Sequence, residues 1–305
     1  MRIGYENLMP ESFPPVVRIA HLSDVHLPPP LPVAAGDLMN KRALSLLSWH
    51  FNRRHHHLAA LGDAVVADIA AHHPALIAMT GDLTNFGLIP EMEAGAAWLA
   101  GLPAPAVIVP GNHDRMTGLP WAKGLALWSP WMAPDEAHFP YVRRIGPVAL
   151  IGVNSAVPSP PFMAYGRVGA RQTARLAALL RRLRGSCRVV LIHHPPRTGL
   201  VPWRKSLLDS RAVTAALKAA GAELVLHGHS HDASASTVRG AGIPLIGSAS
   251  ASLDSSKPGR RAGWNALDIR REDEAWRIDL TRRVLRPAGD GLETLTQRSW
   301  LRPVS

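Results

Sequence analysis

Five short clusters carry the residue types that chelate metals or move protons, and each closes an apolar run. They are Asp24-Val25-His26, Gly81-Asp82, Gly111-Asn112-His113-Asp114, His193-His194-Pro195 and Gly228-His229-Ser230-His231. The third follows Ala106-Val107-Ile108-Val109, a run of strand character that stops at Pro110. An amide, an imidazole and a carboxylate then fall on the loop beyond a strand's carboxyl end, where open α/β sheets keep their sites. Any single cluster reads equally well as turn residues or as a satisfied core histidine, because Asn and Asp are ordinary after a strand. Five such clusters in order at strand ends make coincidence a poor account. Along a strand, positions i and i+2 point to the same side. Asp24 with His26, and His229 with His231, can therefore each grip one ion if extended geometry persists into the loop. Together Asp24, His26, Asp82, Asn112, His193, His229 and His231 form a nitrogen and oxygen set too large for one tetrahedral ion and natural for two ions sharing a carboxylate.

These side chains need a frame of strands that end at one rim. Val16 to Leu22, Ala75 to Met79, the run before Pro110, Val148 to Val153, Arg188 to Ile192 and Leu224 to Leu226 read as strands. Helical patterns run from Leu61 to Ala71, from Pro90 to Ala100 with proline in the first turn, from Gly169 to Arg184, and from Asp209 to Ala220 with Gly221 as its cap. In the third of these, Leu176, Leu179, Leu180 and Leu183 face inward and the arginines outward. Trp121, Trp128 and Trp131 among prolines mark a loop-rich stretch beside the site. Beyond Gly228 the pattern changes. Thr237-Val238, Ile243 to Ile246, Trp264 to Ile269 and Ala275 to Leu285 alternate like antiparallel strands without helices between them. No repeat and no linker interrupts the chain, so residues 1–305 are expected to form one α/β domain, with a basic helical insert at about 37–60. In that insert Leu44, Leu47, Phe51 and Leu58 fall at helical spacing among Lys41, Arg42, Arg53, Arg54 and the triple histidine His55-His56-His57.

Composition narrows the function classes. With 305 residues, 47% of them hydrophobic, the chain can bury a large core. Its 34 Lys and Arg against 23 Asp and Glu give a net charge of +11, which attracts phosphorylated metabolites, acidic headgroups or nucleic acid. The basic residues are scattered rather than interleaved with aromatics in one stripe, so nucleic acid is not the expected partner. One cysteine, Cys187, excludes an internal disulfide and a thiolate cage; it is expected to pack as a small hydrophobe at the start of a strand. Met1 to Pro15 lacks the continuous apolar core of an export signal, and no run is long enough to span a bilayer. The expected location is the cytoplasm, with any membrane contact peripheral to its inner face. No feature specifies an oligomer.

The series Asp24-x-His26, Gly81-Asp82-x-x-x-x-Gly87, Gly111-Asn112-His113-Asp114, His193-x-Pro195 and Gly228-His229-x-His231 resembles the calcineurin-like metallophosphoesterases over about Arg18 to Leu285. That resemblance implies a four-layer α/β/β/α sandwich, two mixed sheets flanked by helices, with a dinuclear metal site at one end. It implies one ion on Asp24, His26, Asp82 and His231 and a second on Asp82, Asn112, His193 and His229, the ions being manganese, iron or zinc. His194 is then left either to support the ligands from behind or to pack. The implied reaction is hydrolysis of an anionic phosphoester by a metal-bridging hydroxide. His113 is expected to protonate the leaving oxygen or stabilise charge there, with Asp114 orienting its ring in preference to capping its loop. Arg115, Thr84 and Asn85 flank the motifs, where substrate contact and support of the fold are equally open. The opening His21-Leu22-Ser23-Asp24-Val25-His26-Leu27 is similar to the branch with cyclic-nucleotide and glycerophosphodiester phosphodiesterases. A phosphodiester is therefore the leading substrate. The alternatives are a nuclease, or a pyrophosphatase acting on a nucleotide-linked lipid, with the basic insert as a lid on an anionic membrane in the manner of UDP-diacylglucosamine pyrophosphatases. Some relatives of this fold are interaction modules that have lost ligands; the complete donor set here argues for an enzyme.

Overall fold

A computed structural model describes residues 16–304; the expectation about an export signal falls on residues outside that range. The strands are β1 (Val17–Leu22), β2 (Leu76–Met79), β3 (Ala106–Ile108), β4 (Tyr141–Ile145), β5 (Val148–Val153), β6 (Cys187–Ile192), β7 (Leu224–His227), β8 (Ala235–Thr237), β9 (Pro244–Gly247), β10 (Gly263–Glu272), β11 (Ala275–Leu285) and β12 (Leu292–Pro303). The α-helices are α1 (Arg42–Phe51), α2 (Ala59–Ala71), α3 (Ile89–Ala100), α4 (Ala170–Arg182) and α5 (Ser210–Ala220). One sheet has the order β12-β11-β10-β1-β2-β3, the other β4-β5-β6-β7-β9-β8. Both are mixed. β1, β2 and β3 run parallel while β10 pairs antiparallel with β1, and β5, β6, β7 and β9 run parallel between antiparallel edges β4 and β8.

Side chains on a strand alternate between faces, and the second sheet uses both. Val148 and Leu150 of β5, Val189 and Leu191 of β6, and Leu224 and Leu226 of β7 join the large core shared with the first sheet. Ala149 and Ile151, Val190 and Ile192, and Val225 turn the other way, onto Leu176 and Leu180 of α4 and Val213 and Leu217 of α5. α2 and α3 contribute Val65, Ile69, Met92 and Leu99 to the first core. This is the expected sandwich of two mixed sheets between helices. Cys187 is buried at the start of β6.

Two strands escaped the sequence reading. β4 carries Arg143 and Arg144 on an edge, and β12 is an edge strand whose residues are mostly exposed or half-buried, so neither shows an apolar run. The stretch after Asp114 is irregular as expected, with three short 3-10 turns at Trp121–Lys123, Leu125–Trp128 and Glu136–His138. Within the described residues, no helix is long and apolar enough to cross a membrane.

Candidate metal centre

The parallel strands of the two sheets end at one rim, and all seven expected ligands lie there. Asp24 and His26 follow β1, Asp82 follows β2, Asn112 follows β3, His193 follows β6, and His229 and His231 follow β7. The two sheets are sewn together at this point. The backbone N–H of His229 donates to Asp24 Oδ2 at 3.0 Å, and Gly228 N–H donates to the His193 carbonyl at 3.1 Å. Gly111 and Gly228 permit the approach, since a Cβ would stand 2.1 Å from Asp82 Oδ1 at the first and 2.7 Å from Asp24 Oδ2 at the second.

The paired ligands do not use extended geometry. Asp24 (φ 54°), His26 (φ 47°), Asp82 (φ 55°), His229 (φ 65°) and His231 (φ 50°) all take the left-handed conformation. The i, i+2 argument from a continuing strand is thereby corrected: each pincer is made by two left-handed residues around one ordinary one. Such residues cost of order 1–3 kcal/mol apiece and persist only where the surroundings over-determine them. Here Asp24 N–H donates to the Gly81 carbonyl at 2.9 Å and His26 N–H to that of Asp82 at 3.1 Å.

Ligand atoms of Asp24, His26, Asp82 and His231 all lie within 4.8 Å of one another, and those of His193, His194 and His229 form a neighbouring group. His26 Nδ1 contacts the Thr84 carbonyl at 3.1 Å and so carries its proton there. Its Nε2 is buried without a hydrogen-bond partner, as is Asp24 Oδ1, although His231 Nε2 approaches that oxygen to 3.0 Å. Two orphaned buried donor atoms in one group are what a cation would satisfy. In the second group, His193 Nδ1 donates to the Thr80 carbonyl at 2.5 Å, and its Nε2 faces Asn112 Oδ1 at 3.2 Å and Asp82 Oδ2 at 3.3 Å. His229 Nε2 donates to the Lys205 carbonyl at 2.8 Å, leaving Nδ1 for the site. Asp82 belongs to the first group and reaches the second through its contact with His193. His194 has both nitrogens engaged, with Ser155 Oγ at 2.8 Å and the Ala164 carbonyl at 3.2 Å, and packs beside the donors.

Electrostatics put most of these atoms in ligand form. Burial opposes ionisation of Asp82, but the His193 and His113 rings outweigh it and hold the carboxyl well below its ordinary value. Asp24 is lowered in the same way, with burial offset by His231. Burial keeps His26 and His229 neutral far below their usual range. His193 is the exception: burial disfavours its charge, yet Asp82 and Asp24 raise it to about 9. In the metal-free protein a proton therefore holds the place between His193 and Asp82.

The two expected catalytic residues separate. His113 stands at the mouth, its ring 5.0 Å from that of His26, with Nδ1 donating to the Asn85 carbonyl at 2.7 Å. Asp114 does not orient it, which corrects that expectation. Its oxygens accept from Gly111 N–H (2.8 Å), Asp82 N–H (2.9 Å), Thr84 N–H (2.9 Å) and Thr84 Oγ (3.1 Å), tying together the loops that carry Asp82 and Asn112. Burial and the Asp82 charge push its carboxyl up to about 7. Thr84 is thus committed to Asp114. Asn85 Nδ2 donates to the Leu27 carbonyl at 2.7 Å, and Arg115 is paired with Glu136 at 2.6 Å.

The insert supplies what the sequence reading missed. His57 joins His26 and His231 within 4.8 Å, its Nδ1 2.9 Å from Ser252 Oγ, and burial followed by the neighbouring His231 lowers it to about 3. Arg53 places Nη2 3.1 Å from His113 Nε2. The other charges of the insert diverge: Lys41 donates to Ser159 Oγ at 3.0 Å, Arg42 is buried, and Arg54 stays at the surface beside His50 and His55. The triple-histidine run with arginines was the available signal, but only topology tells which of its members turn inward.

The family model described as calcineurin-like phosphoesterase matches residues 17–233. A probable cyclic nucleotide phosphodiesterase of Rhodopseudomonas palustris is 33% identical over 148 residues, which are 45% of this chain and 49% of that protein. Another of Synechococcus is 27% identical over 221 residues, 71% of the chain and 80% of that protein. A probable glycerophosphodiester phosphodiesterase of Arcobacter nitrofigilis is 26% identical over 123 residues, 40% of the chain and 42% of that protein. The match thus spans less than half the length of two of these relatives. A dimetal phosphatase from Danio rerio superimposes with a TM-score of 0.60 at 14% identity, covering 93% of this chain and 99% of the other. A purple acid phosphatase from yellow lupin seeds gives 0.59 at 14% identity, covering 94% and 54%. Those likenesses show the fold.

Proposed function

The chain belongs to the calcineurin-like phosphoesterase family, and on that premise we propose that it is a metal-dependent phosphoric ester hydrolase whose substrate is a phosphodiester. The observation that carries this reading is the convergence of donors from both sheets into two adjoining groups, linked where Asp82 and Asn112 meet His193, with orphaned ligand atoms on Asp24 and His26. The phosphodiesterase names of the relatives favour a diester. Asp24, His26, Asp82 and His231 would hold one ion, and Asp82, Asn112, His193 and His229 the other. Two such ions supply positive charge to phosphoryl oxygens and acidify water at neutral pH. The chain's own part is to fix the donors rigidly and to place His113 at the mouth.

His113 is the residue we assign to the leaving oxygen. Burial and the adjacent Arg53 lower it to about 3, so the free protein holds a neutral ring. An anionic phosphate bound beside the ring would favour its charged form, so His113 takes up a proton more readily when substrate is present. A panel of mono- and diesters, cyclic nucleotides and nucleotide-linked lipids, assayed on protein loaded with manganese, iron or zinc, tests the class. Turnover of a diester that vanishes in Asp82→Ala supports it, and absence of turnover across the panel defeats it.

A second reading rests on the outward face of the insert. Leu44, Leu47 and Phe51, the last 76% exposed, point to solvent instead of packing on the sheets, with Met39 89% exposed nearby. Beside them lies a cavity of about 600 Å³ lined by Leu31, Pro32, Val33, Leu46, Leu47, Trp49 and His50. An apolar face with Arg54 at its margin suits a lipid-bearing substrate or the surface of an anionic membrane. Salt-sensitive flotation with anionic vesicles, lost in Phe51→Ser, supports this reading; no flotation at low salt defeats it.

A further inference from the structure

Arg53 sits in the 3-10 turn Arg53–His55 that follows α1, and the turn is fixed from both sides. At the start of α1, Arg42 donates to the Phe86 carbonyl at 2.9 Å and the Gly87 carbonyl at 2.7 Å, on the loop after Asp82. Past the turn, Leu58 N–H donates to the Ser252 carbonyl at 2.9 Å and Asp254 N–H to that of His56 at 2.7 Å. The insert is therefore stitched across the mouth, and Arg53 is aimed inward by contacts of Arg42, His56 and Leu58.

Its own bonding is incomplete. One terminal nitrogen donates to His113 Nε2 at 3.1 Å. The other lies 3.4 Å from His113 Nδ1, whose proton is already committed to Asn85, so a donor faces a donor there. Among the described residues no carboxylate forms an ion pair with Arg53. A half-buried guanidinium has five N–H donors and is costly to bury without a counter-anion. Asp82, Asp24 and Glu91 attract it only from a distance. The missing partner is an anion bound at the metal centre, for which the planar fork of a guanidinium is suited.

We propose that Arg53 is a substrate-binding residue that grips a non-bridging oxygen of the phosphoryl group, exchanging its contact with His113 for the phosphate. The insert is then a fixed wall of the active site that recognises the phosphate, whatever its outer face meets. This inference rests on the phosphoesterase reading of the centre.

The test uses the full chain loaded with two equivalents of manganese, with inorganic phosphate as the calorimetric probe and bis(p-nitrophenyl) phosphate as substrate. In Arg53→Gln, phosphate binding is expected to weaken about 10- to 100-fold, as for a charged hydrogen-bonded contact, and KM to rise by a similar factor while both ions remain bound. Arg53→Lys recovers only part, since an ammonium cannot fork, and guanidinium ion added to Arg53→Ala restores part of the turnover. Unchanged phosphate binding in Arg53→Gln with both ions present overturns the proposal while leaving the phosphoesterase reading intact. Loss of an ion in Arg53→Gln also overturns it, because Arg53 would then support the centre and not the substrate. If the loaded wild type neither binds phosphate nor cleaves the diester, the phosphoesterase reading fails and the role of Arg53 falls with it.

Discussion

His193 is where proton and metal compete. Its folded value of about 9 lies above the ordinary 6.5, so in the metal-free protein the charged ring adds stability that is fully present below 6.5 and is lost as pH rises through about 9. Uptake of an ion at His193 would displace that proton. Apparent affinity should therefore climb about tenfold per pH unit toward 9, with proton release visible as a dependence of binding heat on the buffer's ionisation enthalpy. A flat affinity between pH 6.5 and 9 would show that the ring is already neutral. Asp114 gives a different signature. Asp114→Ala leaves three backbone N–H groups without their acceptor, and orphaned buried donors cost about 1–3 kcal/mol each. A loss of at least about 3 kcal/mol in urea unfolding of the metal-free protein is expected, together with reduced metal content; a slower enzyme of unchanged stability would restore a role at the His113 ring. Left-handed strain can be isolated at His231 (φ 50°). Both His231→Gly and His231→Ala lose the ligand, but the glycine variant should be more stable by about 1 kcal/mol, since only it adopts that conformation freely. Equal stability would mean that the backbone relaxes once the imidazole is gone. None of this strain was legible in the sequence, because Asp and His at these positions read as ligands in any backbone state. The candidate donors could be picked out of the sequence because short motifs carry their own donor atoms.

At the scale of elements, the apolar strands β1, β2, β5, β6 and β7 were legible because burial on both faces writes itself as continuous hydrophobic runs. β4 and β12 were not, since an edge strand with one wet face and several arginines looks like a loop. The insert was legible as basic and helical but not in its wiring. Its charges read as one surface, whereas the fold spends Arg42 on carbonyls, Lys41 on a serine and Arg53 on the mouth. Arg42 is the latch. Arg42→Ala removes both of its bonds to the loop after Asp82, and a charged hydrogen bond contributes about 1.5–3 kcal/mol. Hydrogen exchange is expected to quicken together at Phe86–Leu88 and at Arg53–Leu58, with KM rising because Arg53 is no longer held. Faster exchange at one segment alone would mean that the two are not coupled through α1.

The whole molecule places its donors on two sheets: Asp24, His26, Asp82 and Asn112 follow strands of one, and His193, His229 and His231 follow strands of the other. Bound ions would then cross-link the sandwich at its rim. Each ion present at a hundredfold over its dissociation constant stabilises the fold by about 2.7 kcal/mol, so chelation should lower the melting temperature and loosen the loops after β1, β2 and β7 ahead of the rest. An unchanged melting temperature after complete removal of metal would contradict that cross-link. The topology also carries a temporal consequence. β1, which delivers Asp24 and His26, lies between β2 and β10, and β10 spans Gly263–Glu272, made after every ligand has been translated. A growing chain that has not yet made β10 holds all its donors but lacks the strand that pairs with β1 on that side. Metal capture is thus expected to follow the pairing of β10 with β1, so that the ion taken up would be set by the pool met after that strand is made rather than by the order in which the motifs are synthesised.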